Sequence, residues 1–285
     1  MKALLTNLFF LFSLEILLTV RLFAQPVPYG YNDDVGQYID VGNNTQLYYE
    51  IYGSGDPLLM LHGGVYGYID EFSGLIPKLS EKYQVICLGT RGHVKSDIGH
   101  APFTYDQRAS DAHQLIKHLG LSNVSVVGFS DGGMSAYKLA ANYPEVVAQM
   151  IVIGAGDLPI KRIDTGPMRY SAESLMQASA EYFEHRLNHM PEPDRWNESL
   201  SMITDMYNNS IISKETFTKI TCPVLLIAGE KDEYFSQQSL QKAHEYIPDA
   251  HLEVIQGCGH VVFFCNFQEV WKLTTEFLKL DVAKG

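Results

Sequence analysis

The sequence predicts an α/β protein: a mostly parallel, eight-stranded sheet with helices on both faces and a small helical cap inserted within it. Three observations carry this expectation. Short continuous apolar runs such as "PLLMLHGG" and "PVLLIAG" end in glycines and suit strands buried on both faces. Segments with helical spacing alternate with those runs, the pattern that gives crossover connections and parallel pairing. Residues 157–219 interrupt the alternation, being helix-like and without a clear strand.

Taken in order, "GQYIDV" and "LYYEIYG" alternate apolar and polar residues around Asn43-Asn44 and read as a hairpin. "PLLMLHGG" and "YQVICLGTRG" are buried strands, and residues 70–82 between them have helical spacing. "TYDQRASDAHQLIKHLGL" is a helix that Thr104 caps and Gly120 stops. The strand "VSVVG" follows, then a helix over about 132–143 and the strand "AQMIVIG". Beyond residue 219 come "PVLLIAG" and "HLEVIQG", read as buried strands, with helices near 237–247 and 266–279. The core is thus assigned to 25–156 and 220–285, and the cap to 157–219. The cap carries a methionine and aromatic stripe that includes Met168, Tyr170, Tyr182 and Tyr207. Such a stripe packs helices more often than it lines a substrate cavity.

With 285 residues, 46% of them hydrophobic and 19% charged, the chain can bury a sizeable core. Its formal net charge is −12 and it has no run of lysine and arginine, which argues against nucleic acid and anionic membranes as partners. Residues 1–24 form a separate unit. Lys2 precedes the apolar "ALLTNLFFLFSLEILLTV" and then "RLFAQ", the plan of a secretory signal peptide cleaved between Ala24 and Gln25. Glu15 inside the run and Leu22 before the cleavage point depart from that plan, so a retained membrane anchor is the alternative. Either way, an exported protein, periplasmic or secreted, is expected. Of the four cysteines, Cys87 lies in an apolar run and reads as a small buried thiol. Cys222 precedes one strand and Cys258 follows another, which places them at opposite ends of parallel strands. Pairing of Cys258 with Cys265 stays open.

The chemistry centres on Gly128-Phe129-Ser130-Asp131-Gly132, a G-x-S-x-G pattern between a strand and a helix. A strand turning straight into a helix crowds the positions two before and two after the corner, so both are glycine. The serine at the corner is held in an unfavourable conformation with its hydroxyl pushed outward. A serine needs a base to take its proton. His260 stands after a strand in a loop loosened by Gly257 and Gly259, whereas His62 and His113 read as structural. The histidine in turn needs an orienting carboxylate, which Asp232 supplies directly after "PVLLIAG". Asp157 is the alternative carboxylate, and Glu230 and Glu233 read as solvated neighbours. All of these fall beyond the carboxyl ends of strands, where open α/β sheets bind ligands.

On the motifs "LHGG" (61–64), "GTRGHVKSD" (89–97), "GFSDGG" (128–133), "CPVLLIAGEKD" (222–232) and "GCGH" (257–260), the chain resembles the α/β-hydrolase superfamily over about residues 36–280. The order Ser130, Asp232, His260 is that of the family. The resemblance implies a catalytic triad of these three residues and an oxyanion hole formed by the backbone N–H groups of Gly64 and Asp131. It further implies a serine esterase acting on a small-to-medium carboxylic ester, with no cofactor and no metal. Val94 stands where a second glycine is common, which bears on the local path of that loop. The same triad also serves lactonases, amidases or aminoacyl-ester hydrolases, and C–C bond hydrolases; a non-catalytic ligand-binding protein of this fold is the rival from another class. The Asp131 carboxylate has two readings: a favourable charge at a helix N-terminus, or a partner for a cationic substrate group. His185 and His189 can share a helical face, but no convincing acidic third ligand accompanies them.

Overall fold

The computed structural model describes residues 27–159 and 168–280, so the leader and its cleavage point lie outside the described residues. Strands β1 (Gly36–Asp40) and β2 (Gln46–Tyr52) form the expected antiparallel hairpin. Asn43 and Asn44, with φ of 56° and 54°, make its turn, since asparagine tolerates left-handed backbone. The other strands are β3 (Asp56–Leu61), β4 (Tyr83–Leu88), β5 (Val124–Phe129), β6 (Val147–Ile153), β7 (Val224–Gly229) and β8 (Ala250–Ile255). They assemble in the order β1-β2-β4-β3-β5-β6-β7-β8. β2 meets β4 antiparallel, and every later pairing is parallel.

Alternation along the central strands divides the core between the two faces of the sheet. Leu59 and Leu61 of β3, with Val224, Leu226 and Ala228 of β7, face one helical layer. Leu58 and Met60, with Leu225 and Ile227, face the other. One face is covered by helix α1 (Tyr105–His118) and helix α2 (Asp131–Asn142). Thr104 caps α1 through a 2.9 Å bond from the Gln107 N–H to its hydroxyl, and Gly120 ends it with φ of 65°. Within 168–219 the backbone is helical, with α3 (Ala172–Leu187) and α4 (Trp196–Asn209). The helices α5 (Gln237–Tyr246) and α6 (Phe267–Phe277) complete the fold. No helix among the described residues is long and apolar enough to cross a membrane.

Two expectations need correction. The spacing over 70–82 predicts one helix, but only a 3-10 turn (Ile69–Phe72) and a four-residue helix (Ile76–Leu79) form there. Gly74 and Pro77 interrupt the run, proline being tolerated only in the first turn. β8 is not buried on both faces: it is the sheet edge, and its polar residues His251 and Glu253 face solvent. Its polar/apolar alternation is that of a half-covered strand.

The corner between β5 and α2 is packed to the limit. A Cβ on Gly132 would lie 1.9 Å from the Leu61 carbonyl oxygen, and one on Gly128 would lie 2.5 Å from that of Gly132. Backbone cannot yield here as a flexible side chain can. Gly132→Ala should therefore lower unfolding stability by about 2 kcal/mol or more, as overpacked cores do. A denaturant midpoint equal to that of the parent would contradict this packing.

Candidate active site

Ser130 adopts φ 52° and ψ −114°, outside the regions open to ordinary L-residues. The segment is locked on both sides: its N–H donates to the Ile153 carbonyl at 2.8 Å, and its carbonyl accepts from Met134 at 3.0 Å. The result presents the hydroxyl at the carboxyl end of β5, and Asp131 begins α2.

The structure brings the three predicted side chains together. His260 Nε2 lies 2.9 Å from Ser130 Oγ, and Nδ1 lies 2.9 Å from Asp232 Oδ2. Asp232 Oδ1 accepts the backbone N–H groups of Tyr234 and Phe235 at 2.8 and 2.9 Å. Burial works against the charge of this carboxyl, but the bond and charge of His260 and those two N–H groups outweigh it, holding its pKa below the usual value. An ionised carboxylate only accepts, so Nδ1 carries the proton and Nε2 is left to accept the serine hydroxyl. The alternative carboxylate, Asp157, is buried beside Lys242 at 3.5 Å and makes no contact with the histidine. Glu230 and Glu233 do more than face solvent: they accept the N–H groups of Gly257 and His260 at 2.8 and 3.2 Å, tying down the histidine loop.

Gly64 and Asp131 both line the cavity beside Ser130. The glycine loop is braced from behind by two buried histidines. His62 Nδ1 donates to the Gly63 carbonyl at 2.8 Å while its Nε2 accepts the Thr90 N–H at 3.0 Å. His93 Nε2 lies 3.2 Å from the Gly64 carbonyl. Burial first, then the charge of Arg108, pushes the His93 pKa down to about 4, so this ring is neutral. Val94, next to it, takes φ 61° in the loop, the left-handed backbone that a glycine would occupy without strain. His113 stacks on Tyr143 with ring centres 3.9 Å apart, a structural role as expected. His185 and His189 pack their rings against Tyr31.

The Asp131 carboxylate is already paired. Arg108 Nη1 donates to it at 3.1 Å, the Tyr105 hydroxyl at 3.0 Å, and the Tyr207 hydroxyl reaches it from α4. With its charge balanced by an internal arginine, it has little left for a cationic substrate group. Neither reading from the sequence anticipated this cluster. A Cβ on Gly64 would lie 1.9 Å from the Tyr207 oxygen, so the glycine loop rests directly on it.

The cavity above Ser130 has a volume of about 610 Å³. The cap supplies Met168, Tyr170, Tyr182 and Tyr207 to its wall, whereas Met176, Phe183, Trp196 and Met206 of the same stripe pack into the core instead. Arg186 of α3 clamps the cap down: its two terminal nitrogens bond Asp70 at 2.8 and 2.9 Å, and its guanidinium lies over the Tyr68 and Tyr182 rings. Glu71, unremarked in the sequence, also lines the cavity and accepts the Gly63 N–H at 2.6 Å. Only an amide next to the glycine loop could have singled it out, and no local motif signals that.

Burial pushes the Glu71 carboxyl well above its ordinary value of 4.5; Asp70 and Asp131 add to the rise, while Gly63 and Arg186 oppose it. A folded pKa above the unfolded one contributes stability that is full below the unfolded value and is lost as pH rises through the folded one. Glu71→Gln should therefore match the parent in Tm near pH 4 (about the unfolded pKa) and exceed it increasingly toward neutral and alkaline pH. A Tm difference that stays constant across pH would contradict a neutral Glu71.

The α/β-hydrolase-fold family matches this chain over residues 56–169 and 160–267. The human serine hydrolase BPHL is 25% identical over 252 residues, covering 83% of this chain and 84% of that protein. The 2-hydroxy-6-oxo-6-phenylhexa-2,4-dienoate hydrolase of Comamonas testosteroni is 26% identical over 264 residues, covering 82% and 91%. An esterase from Exiguobacterium antarcticum superposes with a TM-score of 0.66 at 26% identity, covering 86% of this chain and 99% of that one. With the family model matching most of its length, the chain belongs to the α/β-hydrolase family and is a hydrolase.

Proposed function

We propose that the protein is a serine esterase cleaving a small-to-medium carboxylic ester through an acyl-enzyme, with Ser130, Asp232 and His260 as its catalytic triad. The observation that carries this reading is the line of two 2.9 Å contacts from Asp232 through His260 to Ser130, at the base of a cavity of about 610 Å³. His260 Nε2 takes the hydroxyl proton as the serine oxygen attacks the ester carbonyl. The developing oxyanion is held by the backbone N–H groups of Gly64 and Asp131; loss of one such donor typically costs roughly 3–4 kcal/mol of transition-state stabilisation. The imidazolium, stabilised by Asp232, returns its proton to the alcohol as it leaves. Water then enters and attacks the acyl carbonyl as His260 takes its proton; the bond to the serine oxygen breaks, His260 returns the proton to that oxygen, and the acid is released. No cofactor takes part.

Charge narrows the substrate. The cavity's arginine among the described residues, Arg186, is held by Asp70, and Asp131 and Glu233 also line the wall. A carboxylate-bearing substrate, such as the dienoate in the name of the Comamonas relative, gains little there. Tyrosines and phenylalanines suit an uncharged acyl group with apolar parts. Residues 1–24 support export, and the bond between Cys258 and Cys265 suits an oxidising compartment. A mature chain beginning at Gln25, read by mass spectrometry, is the expected outcome; an intact residue 1 would point to a retained anchor.

A panel of p-nitrophenyl esters of graded chain length, beside lactones, aminoacyl esters and a dienoate, tests the reading. Neutral esters should be turned over fastest, and aminoacyl esters should show no preference that Asp131→Asn removes. A fluorophosphonate should label the parent at Ser130 and leave Ser130→Ala unlabelled. Asp232→Asn should lower kcat roughly 10⁴-fold. Absence of both labelling and turnover would overturn the proposal.

A further inference from the structure

We propose that the Cys258–Cys265 bridge positions His260, holding the histidine-bearing loop where its imidazole meets Ser130, so that opening the bridge slows turnover. The inference rests on the triad reading. The bridge spans seven residues and encloses His260. The chain entering the bridge comes from β8, at an edge of the sheet, and Gly257, at φ 76°, and Gly259 flank Cys258 with backbone that lacks the restriction of a side chain. On the other side of His260 stands a four-residue helix, Val262–Cys265, too short to persist alone and seated by the buried Val262 and Phe263, with Cys265 at its exposed end. The non-covalent ties to the loop backbone are few. The Cys258 carbonyl accepts the Lys231 N–H at 2.8 Å, and Glu230 and Glu233 accept the N–H groups of Gly257 and His260 at 2.8 and 3.2 Å.

The two sulfurs sit in different surroundings. Cys258 is buried among the core side chains, whereas Cys265 lies exposed at the end of the short helix. The bridge therefore fastens a turn with an exposed end to the fixed interior, with the histidine between the two anchors. The same turn holds apolar side chains at the cavity rim, Val261 and Phe264, the latter 71% exposed. An exposed phenylalanine gains by turning inward, and in an unbridged loop that movement would drag His260 off its line to the serine. Closing a loop covalently removes such alternatives. The other two cysteines, Cys87 and Cys222, are buried and unbridged, so the accessible redox chemistry falls on this loop.

Dithiothreitol tests the inference on the full protein. It gives two electrons and two protons to the cystine, which becomes two thiols, while the reagent closes to its own cyclic disulfide. Opening is verified on a quenched, denatured aliquot as two thiols alkylated by iodoacetamide beyond those of the unreduced protein. Turnover of a p-nitrophenyl ester is then measured at a temperature where the circular dichroism of the two forms coincides. The bridge as positioning element predicts a kcat at least tenfold lower on reduction and a comparably slower fluorophosphonate labelling of Ser130. KM should stay within twofold, and reoxidation should restore the rate. Cys265→Ser, which leaves the buried Cys258 in place, should match the reduced enzyme and ignore the reductant. A fully opened bridge with kcat within twofold of the parent would overturn the proposal, as would a Cys265→Ser variant with the parent's kcat. The esterase reading fails differently, by absence of turnover and labelling in the bridged protein.

Discussion

The strained backbone of Ser130 is the constraint around which the rest of the molecule is arranged. A residue at φ 52° and ψ −114° persists only where its surroundings over-determine it. Here β5 is buried along its whole length, α2 starts with no intervening loop, and glycines at 128, 132 and 133 let strand, helix and the β3 end press together. The gain is placement. The hydroxyl stands clear of its own backbone, at the helix N-terminus, where the loops after β3, β7 and β8 can reach it. A relaxed serine in an ordinary turn would have neither the exposure nor the fixed direction.

Around that corner the charged and polar groups are arranged in pairs. Asp232 is bonded to His260, and Asp131 is balanced by Arg108 and Asp70 by Arg186. Two of these pairs also fasten the cap. Tyr207 descends from α4 to Asp131, and Arg186 of α3 bridges to Asp70 while stacking between two tyrosine rings. The wall of the cavity is therefore tied to Asp131, next to Ser130, and to Asp70. The cavity wall and the serine corner share a scaffold, and a change in the cap reaches the loop at Gly64 through Tyr207.

Much of this was legible in the chain because it is local or ordered along it. Apolar runs closed by glycines marked the strands, Thr104 and Gly120 marked a helix's ends, and the serine, aspartate and histidine each came directly after a recognisable strand. The features that escaped are set by packing between distant segments. Arg108 sits mid-helix with nothing to show that it serves Asp131, twenty-three residues on. Glu71 has no pattern of its own and matters only because Gly63 turns toward it. The helix expected over 70–82 failed on Gly74 and Pro77, and β8 proved an edge strand, because a short apolar run looks alike at the centre and the rim of a sheet until its neighbours are known. In the cap, Met168, Tyr170, Tyr182 and Tyr207 reach the cavity while Met176, Phe183, Trp196 and Met206 pack inward, a division that periodicity alone does not make.

The most direct measurement is a crystal structure of the protein after reaction with a phosphonate that mimics the tetrahedral intermediate. The account predicts a covalent bond from phosphorus to Ser130 Oγ, with one phosphoryl oxygen roughly 2.7–3.1 Å from the backbone nitrogens of both Gly64 and Asp131. His260 should remain between the adduct and Asp232. Phosphorus on another residue, or an oxygen directed away from those two amides, would contradict it.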